Sequence, residues 1–288
     1  MELRDGVDFV RIRSSEYSIG STSRGDSAAQ ALWELRSSLL HDTPKLSEKQ
    51  SSEPVVGIPG AFTVAGLLSE DECDSFVCFL EQVGFLESKV IAKVTANRKP
   101  WMRHNDVSVI VIPERMATEL SRRLKPFIPG YGAGENARCS PNFINTCLRC
   151  YRYRFECRSN GEPGVPHGVP HFFGPHHDIE QQPMTIVGGM LQEDTCRRSH
   201  TSQMSVLFYL SGGHQGGDTI FEPPPSNTTT TGDTTTTGIS VAPVKGGALC
   251  FWHGQHSLSP AHSGSALSAG PGPKYVIRTD VFFDTEED

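Results

Sequence analysis

The stretch GPHHDIEQQ, Gly174 to Gln182, sets two adjacent histidines directly before an aspartate. Read as the end of a strand, it puts His176 and Asp178 on one face and His177 on the other, because side chains two apart point the same way. One imidazole and one carboxylate from such a face, joined by a second imidazole from a distant strand, make a three-ligand metal site with three coordination positions left open. The second imidazole is expected from the C-terminal third, where His253, His256 and His262 compete in FWHGQHSLSPAHSGSALSAGPGPKYVIRTDVFF. His262 best precedes the last strand and has a basic residue a short way behind it. The expected ligand set is therefore His176, Asp178 and His262, with His253 and His256 read as loop or packing residues. By itself an HHD cluster lies more often in a surface turn.

Ligands so far apart in sequence need a framework of strands. From about Asn142 the chain reads as short strands between Gly/Pro-rich turns, the best being CLRCYRYRF, MSVLFYL, DTIFEP, ALCFWH and KYVIRTDVFF. Two helices are expected upstream. In LLSEDECDSFVCFLEQVGF, Ser69 is the N-cap and Glu72 completes a Ser-x-x-Glu capping box. That helix should run to about Gln82, with Cys73, Phe76, Val77 and Leu80 facing inward. In PERMATELSRRLKPFI, Pro113 opens the first turn and the helix ends before Pro126. Helices followed by a series of strands predict a mainly β (α+β) fold, a barrel or jelly roll buttressed by helices on one side.

The chain of 288 residues carries 28 Gly and 20 Pro, a loop-rich mixture long enough for one sizeable core. Residues 54–288 are expected to form that domain, with helical support at 68–127 and a β core at 142–284. Residues 1–53 are a polar, Ser-rich arm, partly helical or disordered. Its one periodic pattern, SAAQALWELRSSLL, spaces Ala28, Leu32, Leu35 and Leu39 as a helix would. The run PPPSNTTTTGDTTTTG, 223–238, cannot bury a core and is expected to be a mobile hairpin tip. Its Asn227-Thr-Thr fits the glycosylation pattern, an accidental match without a secretory route.

Net charge is −7, with no Lys/Arg block to follow a phosphate backbone, which disfavours a nucleic-acid substrate. The start MELRDGVDFVRIR has no apolar h-region, and no run of 18 apolar residues occurs. The expectation is an intracellular protein, cytoplasmic or nuclear, without a membrane partner. The 8 cysteines then read as reduced thiols. Cys147 and Cys150 have CxxC spacing, but on a strand they point to opposite faces and cannot share a metal or a disulfide.

The ordered series YRYR, GPHHD, SVLFYLS, GGDTIF, PVKGGALCFWH, LSPAHSG and GPKYVIRTDVFF resembles the prolyl 4-hydroxylase-like branch of the Fe(II)/2-oxoglutarate-dependent dioxygenases. The upstream IPGAFTVAGLLSEDECDSFVCFLEQVGF is similar to that family's helical lead-in, so the resemblance spans about 56–284. It implies a double-stranded β-helix (jelly-roll, cupin-like) core, with Fe(II) on His176, Asp178 and His262 as the catalytic centre. It implies 2-oxoglutarate as cosubstrate, O2, and ascorbate. Lys274 takes the family's basic position for the distal carboxylate of 2-oxoglutarate. Arg278, four residues on and on the same face, would share or take over that role. Tyr209, Thr219 and Tyr153, with Tyr151 beside it, match places that line the cosubstrate. Asp280 shares the face of Lys274 and would form an ion pair or touch substrate.

The implied reaction hydroxylates a protein or peptide side chain, prolyl first, with succinate and CO2 as co-products. The alternatives are a small molecule or another residue as target, a zinc hydrolase on the same ligands, or a non-catalytic jelly-roll interaction module. The sequence departs from the family in three places. It inserts ECRSNGEPGVPHGVPHFF, with His167 and His171, between Tyr153 and His176. Ser263 stands where many relatives have Glu, and Val107 where relatives often carry Arg.

Overall fold

The computed structural model describes residues 9–14, 30–35, 50–87, 103–128, 141–154, 171–187, 190–195, 200–222 and 238–284. Two sheets carry the architecture. The larger has 11 strands: nine run in space through Phe9–Ser14, Gln30–Leu35, Asp106–Val111, Cys147–Tyr153, Lys274–Asp284, His200–Tyr209, Ala248–Trp252, Phe62–Ala65 and Ser51–Pro54, and off that path Leu86–Glu87 pairs with Asp106–Val111 and Pro141–Ile144 with Lys274–Asp284. The smaller has 5, in the order Ile239–Val241, Thr219–Phe221, His262–Gly264, Phe172–His176 and Arg103–His104. Neighbours in space are mostly distant in sequence, as in a jelly roll, and the fold is a double-stranded β-helix with helices on one side.

Alternation along the strands of the large sheet divides the core in two. One face, with Val109, Tyr151, Leu207, Leu249, Phe251 and Val276, packs towards the small sheet and its Phe221. The other, with Ile110, Leu148, Val206, Cys250 and Ile277, packs under the helices. Cys147 lies in the first cluster and Cys150 in the second, so the CxxC thiols do point apart. Cys73, Cys78, Cys147, Cys150 and Cys250 are all free thiols. Among the described residues no helix is long and apolar enough to cross a membrane.

Helix α1 (Glu70–Val83) buries Cys73, Phe76, Phe79 and Leu80 against the sheet, with Val77 half-buried. Its start is the expected capping box: Glu72 N donates to Ser69 Oγ at 3.1 Å, and Ser69 N to Glu72 Oε2 at 2.9 Å. The Glu72 carboxylate is also gripped by Arg123 of helix α2 (Glu114–Leu124), at 2.8 and 2.9 Å, which ties the two helices together. Ser69→Ala removes one cap bond and leaves the Arg123 pair, so unfolding free energy should fall by about 1 kcal/mol in urea denaturation.

The helical pattern expected in the N-terminal arm gives way to a strand where it is described. Gln30–Leu35 is a strand and not part of a helix; it pairs with Phe9–Ser14 antiparallel and with Asp106–Val111 parallel. Leu86–Glu87 pairs with the start of DVSVIV, but its Val109–Val111 end would otherwise be an unpaired edge, and hydrogen bonding to that edge outweighs a helical spacing that spans barely three turns. Ala28 and Leu39 of the pattern lie outside the described residues. The boundary expected at 53/54 also falls inside a strand, Ser51–Pro54, which pairs with Phe62–Ala65. Residues 223–237 of the Thr-rich run lie outside the described residues, as does His167. The strands flanking that run, Thr219–Phe221 and Ile239–Val241, are antiparallel partners.

Candidate active site

The small sheet brings the two imidazoles together. His176 and His262 are register partners on adjacent antiparallel strands, with ring centroids 4.3 Å apart. Each ring bonds through Nδ1 to the carbonyl two residues before it, His176 to Gly174 O at 2.8 Å and His262 to Pro260 O at 3.3 Å. A carbonyl only accepts, so both Nδ1 atoms carry the proton and both Nε2 lone pairs are left for a metal. Those Nε2 atoms face Asp178, at 3.6 Å from Oδ1 (His176) and 3.8 Å from Oδ2 (His262). The three side chains offer ligand atoms within 4.8 Å of one another. His176 stacks on Phe173 at 3.8 Å, and His262 meets the Phe251 ring edge-on at 4.6 Å.

The strand ends at His176, so Asp178 sits in the segment that follows rather than in the ladder. Asp178 is nevertheless buried on the side of His176, while His177 is exposed. Main-chain bonds hold that segment in place. Gly254 N donates to Asp178 O at 3.0 Å and Gln181 N to Ser202 Oγ at 2.7 Å. Gly254 has φ +64, and a Cβ there would stand 2.4 Å from Glu180 Cγ, so this turn requires glycine.

Charge reinforces the geometry. Burial favours the neutral acid at Asp178, but the Arg278 guanidinium, then His262 and His176, hold its carboxyl well below the ordinary range. Burial pushes the His262 ring down to about 4 against the pull of Asp178, so it is neutral at physiological pH, the form that binds metal. Arg278 is then the main charge keeping Asp178 ionised, with Nε 3.1 Å from Asp178 Oδ2. Its Nη2 is 3.0 Å from Asp280 Oδ1, and Arg149 Nη1 lies 3.3 Å from Asp280 Oδ2. Asp280 thus takes the ion-pair role expected of it.

Lys274 has a different setting. It lies on the final strand, between Cys147–Tyr153 and His200–Tyr209, and is 3% exposed, so it is no edge-strand lysine. Its ammonium donates to the Gly217 carbonyl and sits 5.0 Å from the Tyr153 ring centroid and 5.7 Å from that of Tyr209. Among the described residues no carboxylate pairs with it. Burial lowers it to about 8 against the pull of Asp218. Tyr209 Oη and Thr219 Oγ1 are hydrogen-bonded at 3.0 Å, closing the wall beside it.

One narrow pocket of about 40 Å³ joins the parts: Tyr151, Tyr153, His176, Asp178, Thr219, His262, Lys274 and Arg278 all line it. A roomier cavity of about 530 Å³ lies along Pro54–Phe62 and Phe127, and among the described residues no titratable side chain lines it. Ser263 is in the narrow pocket's wall, and Val107 is packed in the core. His171 is buried against His104, ring centroids 4.3 Å apart, and takes no part in the triad.

Sequence reasoning missed the polar layer behind Asp178. His253 follows the strand Ala248–Trp252 and is buried, and beyond the loop or packing role expected of it the ring is hydrogen-bonded to Ser205 and Ser202. A signal existed: Ser205 has the parity of Leu207 and Tyr209, which places a hydroxyl on the pocket face of an apolar strand.

No family model matches the chain, and no curated protein matches it. Among solved structures it is similar to the viral collagen prolyl hydroxylase of Paramecium Bursaria Chlorella virus-1, at 16% identity and TM-score 0.45 over 77% of this chain and 96% of that one. It is similar to a Pseudomonas putida prolyl-4-hydroxylase at 14% identity and TM-score 0.40, over 79% and 94%. A 2OG-Fe(II) oxygenase-family oxidoreductase from Burkholderia pseudomallei gives 11% and 0.41, over 79% and 86%.

Proposed function

We propose that this chain is an Fe(II)- and 2-oxoglutarate-dependent dioxygenase that hydroxylates a protein or peptide side chain. The observation that carries the reading is a buried ammonium without a carboxylate partner among the described residues, in one pocket with a two-histidine, one-carboxylate cluster. The residues fit the group. Two imidazoles whose Nδ1 atoms are held by carbonyls and whose Nε2 atoms face one ionised carboxylate are the donor set of non-haem Fe(II) sites that keep positions open. A zinc hydrolase would have no use for the lysine.

Bound there with 2-oxoglutarate and O2, Fe(II) supplies oxidative decarboxylation of the cosubstrate coupled to hydroxylation of a C–H bond, with succinate and CO2 released. The chain's own residues do the rest. His176, Asp178 and His262 would hold the ion, and Lys274 would bind the distal carboxylate, a charge-assisted pair in a dry site. Thr219 lines the same pocket and offers a hydroxyl beside that carboxylate. Tyr151, Tyr153 and Phe173 line the same narrow pocket and would keep water from the space between Lys274 and the bound ion.

The motif series of the sequence supports a prolyl target, and the assay is direct. Protein with Fe(II), 2-oxoglutarate, ascorbate and proline-containing peptides should release succinate and leave a peptide heavier by one oxygen. Wild-type protein that neither binds 2-oxoglutarate nor turns it over with any peptide would falsify the reading. Turnover that oxidises a different side chain or a small molecule would correct the substrate and keep the chemistry.

A further inference from the structure

We infer that His253 is a positioning residue that acts through Ser205 to fix which oxygen of Asp178 is offered to the metal. The inference rests on the oxygenase reading in one respect, that Asp178 is a ligand. Charge and valence force the hydrogen-bond directions. The Asp178 carboxylate can only accept, so Ser205 Oγ, 2.6 Å from Oδ2, donates to it. A hydroxyl has one proton, so Ser205 must accept from His253 Nδ1 at 2.8 Å. The ring proton is therefore on Nδ1, where Asp280 Oδ1 at 3.7 Å also favours it. His253 Nε2 is then an acceptor and takes the Ser202 hydroxyl at 2.9 Å. Ser202 Oγ in turn accepts Gln181 N–H at 2.7 Å.

Every link points towards Asp178, and Ser202, Ser205 and His253 are all fully or nearly fully buried. In such a setting each bond polarises the next, and an unmade one leaves a buried polar group without compensation. Oδ2 thus carries the Ser205 hydroxyl, with Arg278 beside it at 3.1 Å and His262 Nε2 at 3.8 Å, while Oδ1 faces His176 Nε2 at 3.6 Å and has no serine hydroxyl on it. The chain of bonds selects Oδ1 as the free oxygen. Because it begins at Gln181, it also anchors the segment carrying Asp178 to the strand His200–Tyr209.

The two amide isosteres of histidine separate this role from simple packing. In His253→Asn the amide nitrogen stands near the place of Nδ1 and can still donate to Ser205. In His253→Gln the amide reaches the place of Nε2, and the donor to Ser205 is lost. Titration of the full chain with Mn(II), followed by electron paramagnetic resonance, should show affinity reduced about tenfold to a hundredfold in Ser205→Ala and His253→Gln. His253→Asn should stay close to wild type, with melting temperatures recorded for all three.

Equal loss in the Asn and Gln variants, or no loss in either, overturns the inference. If neither folds, Ser205→Ala decides it, since unchanged Mn(II) affinity there overturns it as well. Wild-type protein that binds no Mn(II), or binds it undiminished after His176→Ala, removes the metal reading itself. That outcome differs visibly from a wild type that binds while its variants do not respond.

Discussion

His176→Ala abolishes divalent-metal binding, while His177→Ala, one residue along, leaves it as in wild type. Mn(II) titration with dialysis or paramagnetic readout measures both. His176 places Nε2 3.6 Å from Asp178 Oδ1, its Nδ1 held by Gly174 O, whereas His177 is exposed and outside the cluster. Loss of a group that merely orients a ligand costs about tenfold to a hundredfold in metal affinity, so loss of the ligand itself should exceed about a hundredfold. Stability is not the confounding variable. His176 is half-buried and stacked on Phe173, so truncation removes a partly solvated contact and the sheet pairing remains. A His177→Ala protein that loses the metal, or a His176→Ala protein that keeps it, would reverse the assignment.

Those adjacent histidines show what a sequence can reveal. Alternation is a local property of extended backbone, so GPHHD separates His176 from His177 without any tertiary information. The same rule placed Lys274 and Arg278 on the pocket face, with Asp280 paired to Arg278 beside them, and sent Cys147 and Cys150 to opposite cores. The Ser69–Glu72 capping box is equally local, being written within four residues. What was not legible depends on partners far away. Whether Arg278 or Lys274 is the available cation turns on Asp178 and Asp280 closing on the guanidinium. His253 and Ser205 are 48 residues apart, and nothing in FWHGQ reports the hydroxyl waiting across the sheet. Gln30–Leu35 became a strand because Asp106–Val111 offered an edge, which no spacing within SAAQALWELRSSLL encodes.

Lys274→Ala should weaken 2-oxoglutarate binding by about 2–5 kcal/mol, roughly thirtyfold or more in Kd, because it leaves a buried carboxylate without its cation. Isothermal titration in the presence of Mn(II) measures this, and Arg278→Ala is the comparison. If Arg278→Ala abolishes cosubstrate binding and Lys274→Ala does not, the two cations have been assigned the wrong way round. The pH dependence is a second test on wild type. Burial puts free Lys274 at about 8, and only the ammonium binds a carboxylate, so affinity is level below that pH. Above it, affinity falls by up to about tenfold per pH unit, until the pKa of the complex, raised by the bound carboxylate, is reached.

Stability without cosubstrate runs the other way. The folded pKa lies below the ordinary lysine value of 10.5, so between about 8 and 10.5 the unfolded chain holds more protons. The penalty of burying the charged lysine is therefore full below pH 8 and shrinks as pH climbs through that window. Lys274→Met, an apolar side chain of similar length, should then melt higher than wild type at neutral pH while binding 2-oxoglutarate poorly. A lysine retained for packing would lose stability on replacement. One retained to meet a carboxylate gains it, and that opposition between stability and binding is the result expected here.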